Sequence, residues 1–198
     1  MNYLAHLALS GPDPDMQVGG FLGDWLKGPI ESHRVHWAKP VLQGVALHRR
    51  IDAWVDAQTE IQSALALLGG KHRRIAGPVI DIAFDHYLAK HFSQYHQQLL
   101  ADFCQRAFTH LNQHEPSMPE QAQLFLRRAQ SHRLFERYAE RDTYLSVVGS
   151  LRRRISKPEL LDGIEHQLIK QDQALEAIFH LFYPRLCRQV NELIAGST

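Results

Sequence analysis

The chain has 198 residues, enough for one sizeable domain and short for two, with 44% hydrophobic and 22% charged residues. A net charge of +1 sets up no overall basic field that would mark a nucleic-acid or membrane-surface protein. No apolar run approaches the ~18 residues of a membrane span, and two widely spaced cysteines, Cys104 and Cys187, with no secretory signal predict a reduced, cytoplasmic protein.

The apolar pattern is helical nearly throughout, with Gly and Pro between periodic runs. A short helix is predicted over residues 2–10, with Asn2 as its N-cap, and a second over 15–27, ending near Gly28-Pro29. A third starts at Pro40 and runs to Trp54–Val55, or with a bend to Leu68, where Gly69-Gly70 stops it. A fourth runs from Gly77-Pro78 to Phe92, and "QQLLADFCQRAFTHLNQH" forms a fifth. "HEPSMPE" reads as a loop, and Pro119 opens the helix carrying "QAQLFLRRAQ". Three more follow over 133–140, 142–155 and 158–195, the last with a break near 170–172. The fold class is all-α: one helical bundle domain over 1–198.

Ionisable residues fall where a helical wheel calls for apolar ones. With His48 at zero, Val41, Gly44, Val45, Ile51 and Val55 lie within ~60° and Asp52 at ~40°. Arg49 projects to one side and Arg50 nearly opposite, so Arg49 is the better placed of the two to flank whatever His48 and Asp52 face. A buried carboxylate must be compensated, here by a His–Asp hydrogen bond, by Arg49 or by a metal cation. On the fourth helix Asp81 and Asp85 occupy the centre of another apolar stripe, with His86 on its flank. Two like charges there call for a metal, an arginine from another helix, or one shared proton. Asp24, after "GGFLG", reads alone as a cap or surface residue, although Gly20 and Gly23 would allow close helix approach. His6, among Tyr3, Leu4, Leu7 and Leu9, reads alone as a hydrogen-bonded core histidine.

Together His6, Asp24, His48, Asp52, Asp81, Asp85 and His86 make a carboxylate and imidazole set without thiolates, suited to Mn²⁺ or Mg²⁺ more than Zn²⁺. Such a site activates bound water and polarises phosphoryl oxygens, and Arg49 or Arg50 could clamp the phosphate. The absence of a Gly-rich phosphate loop and of a Gly-x-Ser-x-Gly elbow argues against nucleotide-driven transfer and serine hydrolysis.

The stretches "MNYLAHLALSG", "GGFLGDWLKG", "GVALHRRIDAWVD", "DIAFDHYLAKHFSQY" and "FHLFYPRL" resemble, in order and over nearly the whole chain, the acyl carrier protein phosphodiesterases. The resemblance implies an all-α, HD-like metal phosphohydrolase architecture. It implies hydrolysis of the 4′-phosphopantetheine group from holo acyl carrier protein, supported by a divalent cation, Mn²⁺ above others. Asp24 matches the metal-associated aspartate of the family's Gly-Asp-Phe motif, with Trp25 in place of the phenylalanine, while Asp85-His86 reverses the usual His-Asp order. The resemblance thus points to Asp24, His48, Asp81 and Asp85 as ligands, with His6 and Asp52 at or just behind them. It makes His86 a ligand or general acid and assigns Arg49 and Arg50 to the phosphate. Carrier proteins are acidic, so the basic run at Lys71, Arg73 and Arg74 is the expected docking face. Two other readings remain: a phosphohydrolase acting on a nucleotide or other small phosphodiester, and a non-catalytic helical module for an acidic partner.

Overall fold

The computed structural model describes residues 1–196. Among these the regular structure is helical, with no strand, around one connected apolar core. Helix α1 spans Tyr3–Leu9 and α2 Pro14–Leu22, the latter capped by Asp13, which accepts from the backbone N–H groups of Asp15 and Met16. Then come α3 (Lys39–Asp56), α4 (Thr59–Leu67), α5 (Ala76–Lys90), α6 (Phe92–Tyr95) and α7 (Leu100–His114). Helices α8 (Glu120–Ser131), α9 (Leu134–Arg137) and α10 (Arg141–Ser150) lead to α11 (Ile164–Ala195). Short 3₁₀ turns connect several of them, notably Gly70–Ile75, Leu151–Arg153 and Pro158–Leu161. No helix among the described residues is long and apolar enough to cross a membrane.

The departures from the sequence reading have local causes. Helix α2 stops at Leu22 rather than residue 27, because the N–H groups of Trp25 and Leu26 both turn back to the Leu22 carbonyl. The third helix ends at Asp56 instead of bending on to Leu68, since Gln58 is extended and starts a separate helix. The fourth helix closes at Lys90, and only a single turn follows it. The break expected at 170–172 is absent. Leu168 and Leu175 keep the buried stripe in phase, while the largely buried Asp172 turns towards α5 and α10, accepting from the Tyr87 hydroxyl at 2.9 Å and from Arg141 at 3.0 Å.

Two contacts position the site. Helix α2 crosses α3 with almost no side chain between them. A Cβ on Gly19 would stand 2.0 Å from the Val41 carbonyl oxygen, and one on Gly44 2.2 Å from that of Met16. The second contact holds the start of the chain. Asn2 occupies the N-cap position of α1, but its side chain makes no capping bond. The cap comes instead from Asp85 of α5, whose carboxylate accepts from the N–H groups of Asn2 (3.3 Å), Leu4 (2.8 Å) and Ala5 (3.2 Å). Removing it in Asp85→Ala leaves those buried donors unpaired. The variant should lose about 1–3 kcal/mol of stability in urea unfolding, whereas an unchanged midpoint would refute the capping role.

Candidate active site and metal centre

Four of the residues marked in the sequence meet at one point. His6 on α1 and His48 on α3 stack ring on ring, with centroids 3.6 Å apart. Asp52, one turn after His48, places one carboxylate oxygen 3.1 Å from His6 Nε2 and the other 3.2 Å from His48 Nε2. Asp24 approaches His48 Nε2 to 3.8 Å from the loop after α2. Both histidines are buried, and the two carboxylates are about half exposed at the floor of a cleft of about 460 Å³.

The neighbouring backbone explains why His48 points there. Gly23 lies beneath the ring, where a Cβ would come within 2.2 Å of it. Its Nδ1–H donates to the Gly20 carbonyl at 2.8 Å, which commits Nε2 to face both carboxylates. The Asp24 loop is pinned by Arg49, whose guanidinium donates to the carbonyls of Leu26 (2.6 Å) and Gly28 (2.8 Å).

Electrostatics separates the two imidazoles. Burial opposes charge on His48, but hydrogen bonds to Asp24 and Asp52 outweigh it and raise the imidazole to about 9. Burial lowers His6 to about 4, only partly offset by Asp52. His48 holds the Asp24 carboxyl below the usual carboxylate range. For Asp52, burial is overcome by the hydrogen bond from His48 and by the nearby His6 imidazole, which together push its carboxyl down. His6 is therefore neutral near pH 7, and although its Nε2 lies close to Asp52, neither of its buried ring nitrogens makes a hydrogen bond of acceptable geometry. Ligand atoms from His6, His48 and Asp52 lie within 4.8 Å of one another. An orphaned buried imidazole facing shared carboxylate oxygens is the donor arrangement a divalent cation satisfies.

The other marked residues lie elsewhere. Asp85 spends its carboxylate on the α1 N-terminus, so it offers the cleft no spare oxygen; burial raises it to about 7 against the pull of those N–H donors. Asp81 lines the cleft but bonds the Met1 amino group at 2.8 Å rather than joining the imidazoles. His86 is turned away onto α9 and α10, with Nδ1 2.6 Å from the Tyr138 carbonyl and its ring stacked on Tyr144 at 4.3 Å. Arg50 is exposed beside a different hollow, with Asp13 and Leu193. Neither it nor Arg49 reaches the cleft. Among the described residues Arg154, from the end of "RRR", lines it together with Asp24, Asp52, Asp56 and Asp81. Its run read only as a basic cluster, because no local pattern shows which of three adjacent arginines borders the cleft. Lys71, Arg73 and Arg74 are exposed on the 3₁₀ turn Gly70–Ile75. That turn packs on Pro158–Leu161 through His72 Nδ1 and the Leu160 carbonyl, 2.7 Å apart, so it joins the 152–154 run on one side of the molecule.

Fold and site thus define an all-α protein with one cleft built on an imidazole–carboxylate centre. The family model described as acyl carrier protein phosphodiesterase matches residues 1–186. Proteins named acyl carrier protein phosphodiesterase are 30% identical to the chain: that of Yersinia pestis over 190 residues, 96% of this chain and 97% of its own, and that of Serratia proteamaculans over 193, 97% and 98%. That of Escherichia coli O6:H1 matches over 197 residues at 30% identity. No solved structure matches significantly. The chain belongs to the acyl carrier protein phosphodiesterase family.

The His48 shift has a measurable sign. A folded imidazole raised from 6.5 to about 9 contributes stability that is complete below pH 6.5 and is lost as pH rises through about 9. Urea unfolding of the metal-free protein should show that loss, and His48→Gln should flatten it. An identical pH profile in both would contradict the assignment.

Proposed function

We propose that the chain is a divalent-cation-dependent phosphodiesterase that hydrolyses 4′-phosphopantetheine from holo acyl carrier protein. The observation carrying this reading is the open centre of His6, His48 and Asp52, with Asp24 beside it, in a protein of this family. His6, His48 and Asp52 would hold the cation, Mn²⁺ above Mg²⁺, and Asp24 would complete the set. When bound, such a cation lowers the pKa of a coordinated water and neutralises phosphoryl charge.

The chain's own residues do the rest. Asp52 bridges the two imidazoles, and the Gly20 carbonyl fixes the His48 ring so that Nε2 stays directed into the cleft. Arg49 holds the loop that presents Asp24. Arg154, which lines the same cleft, supplies a positive charge for the phosphodiester. Hydrolysis adds water oxygen to phosphorus and breaks the bond to the carrier serine, whose oxygen leaves and takes up a proton. The phosphate stays with pantetheine. The exposed basic residues of the 71–74 and 152–154 turns complement an acidic carrier.

Mass spectrometry of holo carrier incubated with the protein and Mn²⁺ should show loss of the phosphopantetheine mass and appearance of apo carrier. Turnover of nucleotides with none of holo carrier would overturn the proposal. Asp24→Ala should abolish the reaction while the helical circular dichroism is kept. Arg154→Ala should lower kcat by about 100-fold, the scale for losing one charge-stabilising donor. Full activity in Arg154→Ala would remove it from the mechanism.

A further inference from the structure

A second group of metal-binding side chains lies outside the cleft, where α5 ends against α11. His91 follows the last residue of α5, and Glu176 and His180 stand four apart on α11, so one helical turn directs both towards it. One ligand atom from each residue lies within 4.8 Å of the other two. His91 Nε2 is 2.5 Å from Glu176 Oε1, and the two imidazole centroids are 4.6 Å apart. All three residues are partly buried, which excludes part of the competing water.

The surrounding contacts suit a ligand set. His180 Nδ1 pairs with the Tyr95 hydroxyl at 2.5 Å, and His91 Nδ1 with the Gln94 side-chain amide at 3.1 Å. Nδ1 of each ring is thus engaged; on His91 it accepts from the Gln94 amide, so the proton on Nε2, which now faces Glu176, is the one a cation displaces. Glu176 is shared at present between His91 and Lys90, whose Nζ stands 2.7 Å away. Lys90 is 41% exposed, so a cation can release it to water at little cost.

We infer that His91, Glu176 and His180 form a second divalent-cation site, selective for Zn²⁺ and its close analogue Co²⁺. Two imidazoles and one carboxylate are a borderline, nitrogen-rich set that favours these ions over Mg²⁺ or Ca²⁺. Tetrahedral zinc places its donors about 3.3 Å apart, so the His91–Glu176 pair, now at 2.5 Å, opens slightly, and no pair has to close by more than ~1.5 Å. The ion would clip the end of α5, the helix that carries Asp81 and Asp85, to the long α11. An ion bound only by the folded chain stabilises it. The rival account is a plain ion-pair knot of Lys90, His91 and Glu176 with no metal.

Counting Zn²⁺ bound to the metal-free full chain after equilibrium dialysis separates the two. In an Asp52→Asn background, which disables the cleft centre, one equivalent should remain, and adding His180→Ala should remove it. Co²⁺ should give visible d–d absorption in the single variant and none in the double. Tyr95→Phe should weaken the retained ion by about tenfold. Should Asp52→Asn unfold, the wild type is compared with His180→Ala alone, which should bind one equivalent fewer and keep its Mn²⁺-supported hydrolysis. An unaltered count in His180→Ala, or no zinc in the Asp52→Asn background, overturns the site. These counts do not depend on whether holo carrier is hydrolysed, so a failed activity assay leaves them standing.

Discussion

The crossing of α2 over α3 at Gly19 and Gly44 is the contact on which the centre depends. It brings the backbone of one helix against the other, with no room for a Cβ on either glycine. Only at that separation does the Gly20 carbonyl reach His48 Nδ1 and the Gly23 backbone fit under the imidazole. The tautomer and direction of His48 follow, and with them the meeting of Nε2 with Asp24 and Asp52. A packing constraint between small residues is thereby converted into the aim of a functional side chain.

The inward-facing aspartates divide into two uses. Asp52 and Asp24 lie beside imidazoles, where a proton or cation relieves their charge. Asp85 is compensated by backbone N–H groups at the start of α1, and Asp81 by the Met1 amino group. The second use supports the first. Holding the N-terminus of α1 against α5 fixes the helix that delivers His6 to the ring of His48. The carboxylates of α5 thus work on the centre through position.

The all-α architecture was legible because apolar residues recur at helical spacing over most of the chain, and tertiary packing followed those stripes. The wheel turned His48 and Asp52 inward, and His48 is buried with Asp52 at the cleft. It also turned Asp81 and Asp85 inward, but a wheel states only that a charge faces the core, never what meets it. Asp85 meets a helix terminus 80 or more residues away in the chain, for which no local pattern exists. His86 was misjudged for the same reason: its flank position became a contact with Tyr138 and Tyr144 rather than with the cleft. Arg49 was drawn to two loop carbonyls more than twenty residues back, a partner that only the early end of α2 creates. Arg154 became visible only once the 3₁₀ turn Leu151–Arg153 had placed it beside the cleft.

On the proposed function, the two stacked imidazoles and the Asp52 carboxylate share one divalent cation. Pulsed electron paramagnetic resonance on the Mn²⁺-loaded protein reads this directly, through the hyperfine coupling of nitrogens bonded to the ion. Two coordinated imidazole nitrogens are expected in the wild-type protein and one in His48→Gln. A Mn²⁺ signal with no directly bonded nitrogen would contradict the shared coordination.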